Sequence, residues 1–242
     1  MGSVGCASNP YGRRLLIQGT VSPMERRLRQ ILKSWVEPHL KTLGFKKRAF
    51  TYTRTLDEVW WLIDIQRSRW NTSQRCEFTA NLGVYVPGFY AILRGEDPKR
   101  PTVPDCVFNC RINRVVGIRE DQWWTLYADV SDPDLSDSMI GQELADAIVN
   151  SAIPFLQRFQ KRRDVLALLY EITEPEKRRV VSWPLSEVWI YTFIGVLHFM
   201  LSEPSLCCQA LHRAVAEARR SHISDSENFV REVYNRLCSE TV

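Results

Sequence analysis

The sequence has no apolar run long enough to cross a bilayer. Its longest, Val188 to Leu201, stops after 14 residues and is broken by Gly195 and His198, whereas a helical span needs about 20. Nor does one sign of charge dominate: 32 Lys and Arg stand against 28 Asp and Glu, leaving +4. An obligate nucleic-acid binder carries a stronger or more clustered basic excess. Histidine is scarce, at four residues. The chain also lacks a Gly-x-x-x-x-Gly-Lys phosphate loop, a Gly-x-Gly-x-x-Gly fingerprint, a Gly-x-Ser-x-Gly elbow and a His-Glu-x-x-His zinc helix, which removes the common signatures of nucleotide, hydrolase and zinc-protease sites.

Metal and disulfide frameworks are poorly supported too. The seven cysteines, at 6, 76, 106, 110, 207, 208 and 238, are odd in number and scattered. This spacing predicts packed, reduced thiols and a cytoplasmic protein. Cys106 and Cys110 have no second pair at zinc spacing, and Cys208 with His212 makes at most half a site. Asp132, Asp134, Ser136 and Glu143 fall at calcium-loop offsets, but Asp137 stands where that loop requires glycine. Acidic residues at a helix start account for them through the helix dipole. No metal, cofactor or membrane contact is therefore expected.

What is present is ordinary globular material, 45% hydrophobic and 25% charged over 242 residues, enough to bury a core without staples. Residues 1–21 show no period and read as a disordered tail. Ser22-Pro23-Met24-Glu25 is a helix start, with Ser22 as cap, Pro23 where no N–H is missed, and Glu25 completing a capping box. Leu28, Ile31, Leu32, Trp35, Val36 and Leu40 then recur at helical spacing, until Pro38 should kink or break the helix. From Lys46 the period becomes two. Lys47 to Thr55, Val59 to Arg69 and Arg75 to Val86 read as three antiparallel strands joined by hairpins. Val59, Trp61, Ile63 and Ile65 form one apolar face, expected to pack under the opening helix.

After a Pro- and Gly-rich loop, Pro87 to Pro104, come two shorter strands, Cys110 to Ile118 and Gln122 to Ala128. Helices follow at Met139 to Phe159, broken at Pro154, and at Asp164 to Glu171, and everything beyond Pro184 reads as helical. The fold class is α+β: an antiparallel sheet packed by helices over residues 22–163, extended by a C-terminal helical bundle over 164–242 that packs on it.

Several stretches carry a family resemblance. They are Leu43-Gly44-Phe45-Lys46-Lys47 with Tyr52 and Arg54, Trp61-Leu62-Ile63 leading to Gln66-Arg67-Ser68, and Phe78-Thr79-Ala80-Asn81-Leu82-Gly83-Val84. Cys110-Arg111-Ile112 and Trp123-Trp124-Thr125-Leu126 continue the pattern. Together they resemble the bacterial family known as domain of unknown function 4304, over roughly Met24 to Phe159. The family tends to alternate Arg and Ile before a Gly, whereas here Asn113 and Val116 precede Gly117. The resemblance implies an intracellular α+β protein and brings no catalytic residue with it.

Two constellations carry the functional expectation. Arg67, Arg69, Trp70 and Arg75 surround a predicted hairpin tip, where guanidinium forks and an exposed indole suit a protein partner or, as an alternative, nucleic acid. The bland account is a charged hairpin that deters strand addition. Arg54, Gln66, Asn81 and Arg111 form the second set, polar residues placed mid-sheet. If strand register gathers them, they suit a small anionic ligand or substrate; otherwise they satisfy one another. The sequence thus favours a non-enzymatic binding protein using the Arg/Trp hairpin, with nucleic-acid binding through the same hairpin as the first alternative and an enzyme or binder of a small anionic ligand at the polar sheet face as the second.

Overall fold

The computed structural model describes residues 22–118, 120–221 and 224–239. The expected tail, with Cys6, lies outside the described residues, as does His222.

The opening helix begins as its sequence dictates, the Ser22 hydroxyl accepting from the Glu25 amide at 3.1 Å. It runs through α1 (Pro23–Ile31), a wide π turn (Leu32–Val36) and α2 (Glu37–Thr42). Pro38 neither breaks nor ends it. The preceding π turn shifts the hydrogen-bond register, so the missing proline N–H interrupts no regular ladder. The same arrangement recurs where α5 (Pro133–Ala147) passes through a π turn (Ile148–Ala152) into α6 (Ile153–Gln157), carrying Pro154 without the expected break. That helix also starts earlier than Met139, because Asp132 accepts from the Leu135 amide at 3.0 Å as its cap.

Six antiparallel strands form one sheet: β1 (Lys46–Arg48), β2 (Thr51–Thr55), β3 (Trp60–Arg67), β4 (Arg75–Tyr85), β5 (Phe108–Arg111) and β6 (Trp124–Tyr127). The expected strand Lys47 to Thr55 is two strands, folded into a hairpin at Ala49, whose φ is 53°. The strand expected at Cys110 to Ile118 is likewise corrected. β5 stops at Arg111 and the chain turns into α4 (Ile112–Val116), because the buried Asn113 side chain donates to the carbonyls of Ile118 and Glu120 and ties the loop back. β5 and β6 lie end to end along one edge of β4, with α4 as the excursion between them.

Register assigns the two faces. Trp61, Ile63 and Ile65 share a face with Tyr52, Val84, Leu82 and Ala80, and all are buried. Helices cover this side. The Trp61 indole N–H donates to the Phe159 carbonyl at 2.7 Å, and Phe108 packs on Phe155 and Phe159 at the end of α6. Burying each such large side chain contributes about 1.5–3 kcal/mol.

The other face is only partly covered. There the short 3₁₀ turn Val103–Asp105 settles on the sheet because Gly83 leaves room: a Cβ on it would lie 2.5 Å from the Cys106 sulfur. The segment expected to be loop from Pro87 also contains α3 (Phe89–Arg94), on which Phe193 of α8 (Glu187–Met200) packs edge-on.

α7 (Arg162–Glu171), α8, α9 (Pro204–Arg220) and α10 (Ser224–Cys238) complete the fold. The expectation of reduced thiols is corrected at one place, where Cys208 of α9 and Cys238 of α10 form a disulfide. Helix spacing could not reveal a pairing between residues 30 apart. Cys76, Cys106, Cys110 and Cys207 are free and buried.

Candidate functional site

At the β3–β4 tip the Asn71 side chain fixes the turn, donating to the Glu77 carbonyl at 3.0 Å and accepting from its amide at 2.7 Å. Trp70 projects from this frame 74% exposed, with the Arg69 guanidinium 4.9 Å from its ring centre. The other two arginines are engaged. Arg75 ion-pairs with Glu77. Arg67 turns toward the helix face, where it pairs with Glu25 and lies 4.6 Å above the Phe50 ring. Of this set, Arg69 and Trp70 reach outward with no ion-pair partner for Arg69 among the described residues.

The mid-sheet set divides by strand parity. Arg54 pairs in register with Trp61, so it lies on the helix face with its guanidinium 4.9 Å from the indole. Gln66, Asn81 and Arg111 come together on the opposite face. Asn81 donates to the Gln66 carbonyl oxygen at 2.7 Å, and Arg111 sits across from Asn81 on the neighbouring strand. They line a cleft of about 720 Å³ with Asp64, Asn109, Arg114, Asp121, Ser182 and Trp183, a size typical of small-molecule sites.

The charges in this cleft are held by few partners. Burial raises the Asp64 carboxyl above its ordinary range, partly offset by the Thr51 hydroxyl donating at 2.6 Å. Arg111 pairs with Asp121 at the rim and stacks 5.2 Å from Trp123. Arg114 reaches the Arg179 carbonyl at 3.4 Å. The wall is a strap from far along the chain: the Asn109 carbonyl accepts from the amides of Ser182 and Trp183 at 2.7 and 3.2 Å, and its amide donates to the Trp183 carbonyl at 3.1 Å. Asp64 was readable from sequence, two residues before Gln66 on the same face. Trp183 was not, since nothing local links it to the sheet.

Among the described residues, one grouping brings metal-ligand atoms close: the sulfurs of Cys207, Cys208 and Cys238, all within 4.8 Å of one another. The disulfide consumes two of the three. No described helix is long and apolar enough to cross a membrane.

Residues 36–158, half of the chain and all six strands of the sheet, match the family described as domain of unknown function DUF4304. The chain belongs to this family. All eight residues singled out in the sequence fall inside the matched region, whereas Ser182 and Trp183 fall outside it, so the DUF4304 core supplies the cleft floor and the C-terminal part of the chain supplies one wall. Searches of curated proteins and of solved structures returned no match.

Proposed function

We propose that this DUF4304 protein is a binding protein whose cleft takes a small polar ligand, one carrying an anionic group for Arg111 and a hydrogen-bond donor for Asp64. One observation carries this reading: three adjacent strands deliver Asp64, Gln66, Asn81 and Arg111 to the floor of a single cleft. Asp121, the ion-pair partner of Arg111, is half exposed, with 51% of its side chain accessible, and so is readily displaced by a ligand acid. Guanidinium forks suit carboxylate or phosphate.

The test is thermal denaturation against a panel of amino acids, dicarboxylates and phosphomonoesters. A ligand at 100 times its Kd stabilises by about 2.7 kcal/mol, or about 5–10 °C for a chain of this size. Arg111→Gln should abolish the shift. A panel that never shifts the native protein, or a shift that survives Arg111→Gln, overturns the reading.

A second reading, docking of the hairpin tip on a protein partner, is favoured by the 74% exposure of Trp70 beside Arg69. An indole left in water on a tip braced by Asn71 contributes little to the fold and is suited to burial at an interface.

A further inference from the structure

On the opposite side of the sheet from the polar cleft, the opening helix and the β1–β2 hairpin leave a groove of about 610 Å³. Its floor is apolar, formed by Leu40, Phe45 and Tyr52, all buried. Its rim is basic. Lys33, Lys41, Lys46 and Lys47 line it against a single acid, Glu37, which Lys47 already engages. The remaining three ammonium groups have no ion-pair partner among the described residues.

A second, independent feature lies in the floor. Tyr52 is only 2% exposed, and its hydroxyl, beside the Glu37 carboxylate, has no partner within hydrogen-bonding geometry among the described residues. A buried hydroxyl without a partner is destabilising, so an occupant that accepts from it recovers that cost. Burial, together with the nearby negative charge of Glu37, pushes this phenol above its ordinary range, and at neutral pH it remains a proton donor.

We propose that this groove binds a free alkyl carboxylic acid, a small anionic amphiphile whose hydrocarbon lies on Leu40, Phe45 and the Tyr52 ring while its carboxylate accepts from the Tyr52 hydroxyl and meets the lysine rim. Charge complementarity selects the acid: four cations face one anion. The apolar floor favours a hydrocarbon body over a bare inorganic ion, and lysine stems extend that apolar surface while keeping their charges in water. The volume fits one small molecule. This inference stands apart from the polar cleft, because Tyr52 and Asn81 lie on opposite faces of the sheet.

The experiment is isothermal titration of the full chain with decanoate below its micelle concentration. The expected result is saturable one-to-one binding, weakened about tenfold or more in a Lys33→Ser, Lys41→Ser, Lys46→Ser variant and several-fold in Tyr52→Phe, which removes one oxygen and leaves the packing. Decyltrimethylammonium, with the same chain and opposite charge, should not bind, and Arg111→Gln should bind decanoate as the native protein does. Absent or unsaturable binding, equal affinity for the cationic amphiphile, or an unchanged Kd in the lysine variant overturns the proposal. So does a concentration-dependent dimer that Lys41→Glu dissociates while decanoate has no effect, since the groove is then a self-interface.

Discussion

Arg67 separates a structural arginine from a functional one within a single hairpin. Replacing it with Met keeps the apolar stem and removes two interactions. The pair with Glu25 is partly exposed, with 41% of the Arg67 side chain and 18% of the Glu25 side chain accessible, so it contributes about 0.2–1 kcal/mol after solvent screening. The guanidinium over Phe50 at 4.6 Å adds about 0.5–1 kcal/mol. Arg67→Met should therefore destabilise by about 1.5 kcal/mol, lowering Tm by about 3–6 °C. Arg69→Met and Trp70→Ala should leave Tm unchanged, and under the docking reading they alone should release a protein partner.

Acid adds a second readout. Burial raises the Glu25 carboxyl, but the hydrogen bond from Arg29 and the charges of Arg67 and Arg29 outweigh it and hold the group below its ordinary value of 4.5. A carboxyl depressed in the folded state contributes stability above its unfolded pKa and loses it as pH falls through the folded one. The gap between native protein and Arg67→Met, measured by urea denaturation, should accordingly be full at pH 7 and shrink below about pH 4.5 to the stacking part alone. A gap that ignores pH, or a destabilising Arg69→Met beside a neutral Arg67→Met, refutes this assignment.

Two further perturbations test the frame. Reducing the Cys208–Cys238 disulfide, which spans 30 residues, should cost about 3–4 kcal/mol by chain entropy, read as a drop in Tm with dithiothreitol that Cys208→Ser reproduces and no longer shows on reduction. Gly83→Ala should destabilise by about 1–3 kcal/mol through the Cys106 sulfur 2.5 Å from the new methyl, and adding Cys106→Ala should recover much of it. Equal losses in the single and double variants would mean that the two residues do not touch.

The elements with strong periods were legible before any coordinates. The start at Ser22, the alternation along β3 and the hairpin after Arg67 all follow from spacing and caps. The turn at Ala49 was hidden because neither Ala49 nor Phe50 is a turn residue, and tertiary packing imposes the positive φ. Ile112, Val115 and Val116 read as strand by propensity, but the buried hydrogen bonds of Asn113 override it. Arg54 was misplaced for a geometric reason. A side chain's face depends on register across a loop, and one residue of slip moves it to the other side. Gln66, Asn81 and Arg111 share a face because each lies on a strand adjacent to the next.

The strap at Ser182 and Trp183 separates what relatives share from what they can change. Floor residues belong to the matched core, while the wall is tied to Asn109 by three main-chain bonds, two accepted by the Asn109 carbonyl and one donated by its amide. Backbone recognition of that kind does not depend on the strap's side chains. A different segment with the same extended shape could make the same bonds to Asn109 and present other groups to the floor, provided that it replaced the packing of Trp183 on Trp189 and Phe193. If the cleft binds a ligand as proposed, exchange of the strap would alter what meets that ligand without disturbing a sheet whose other face carries the core.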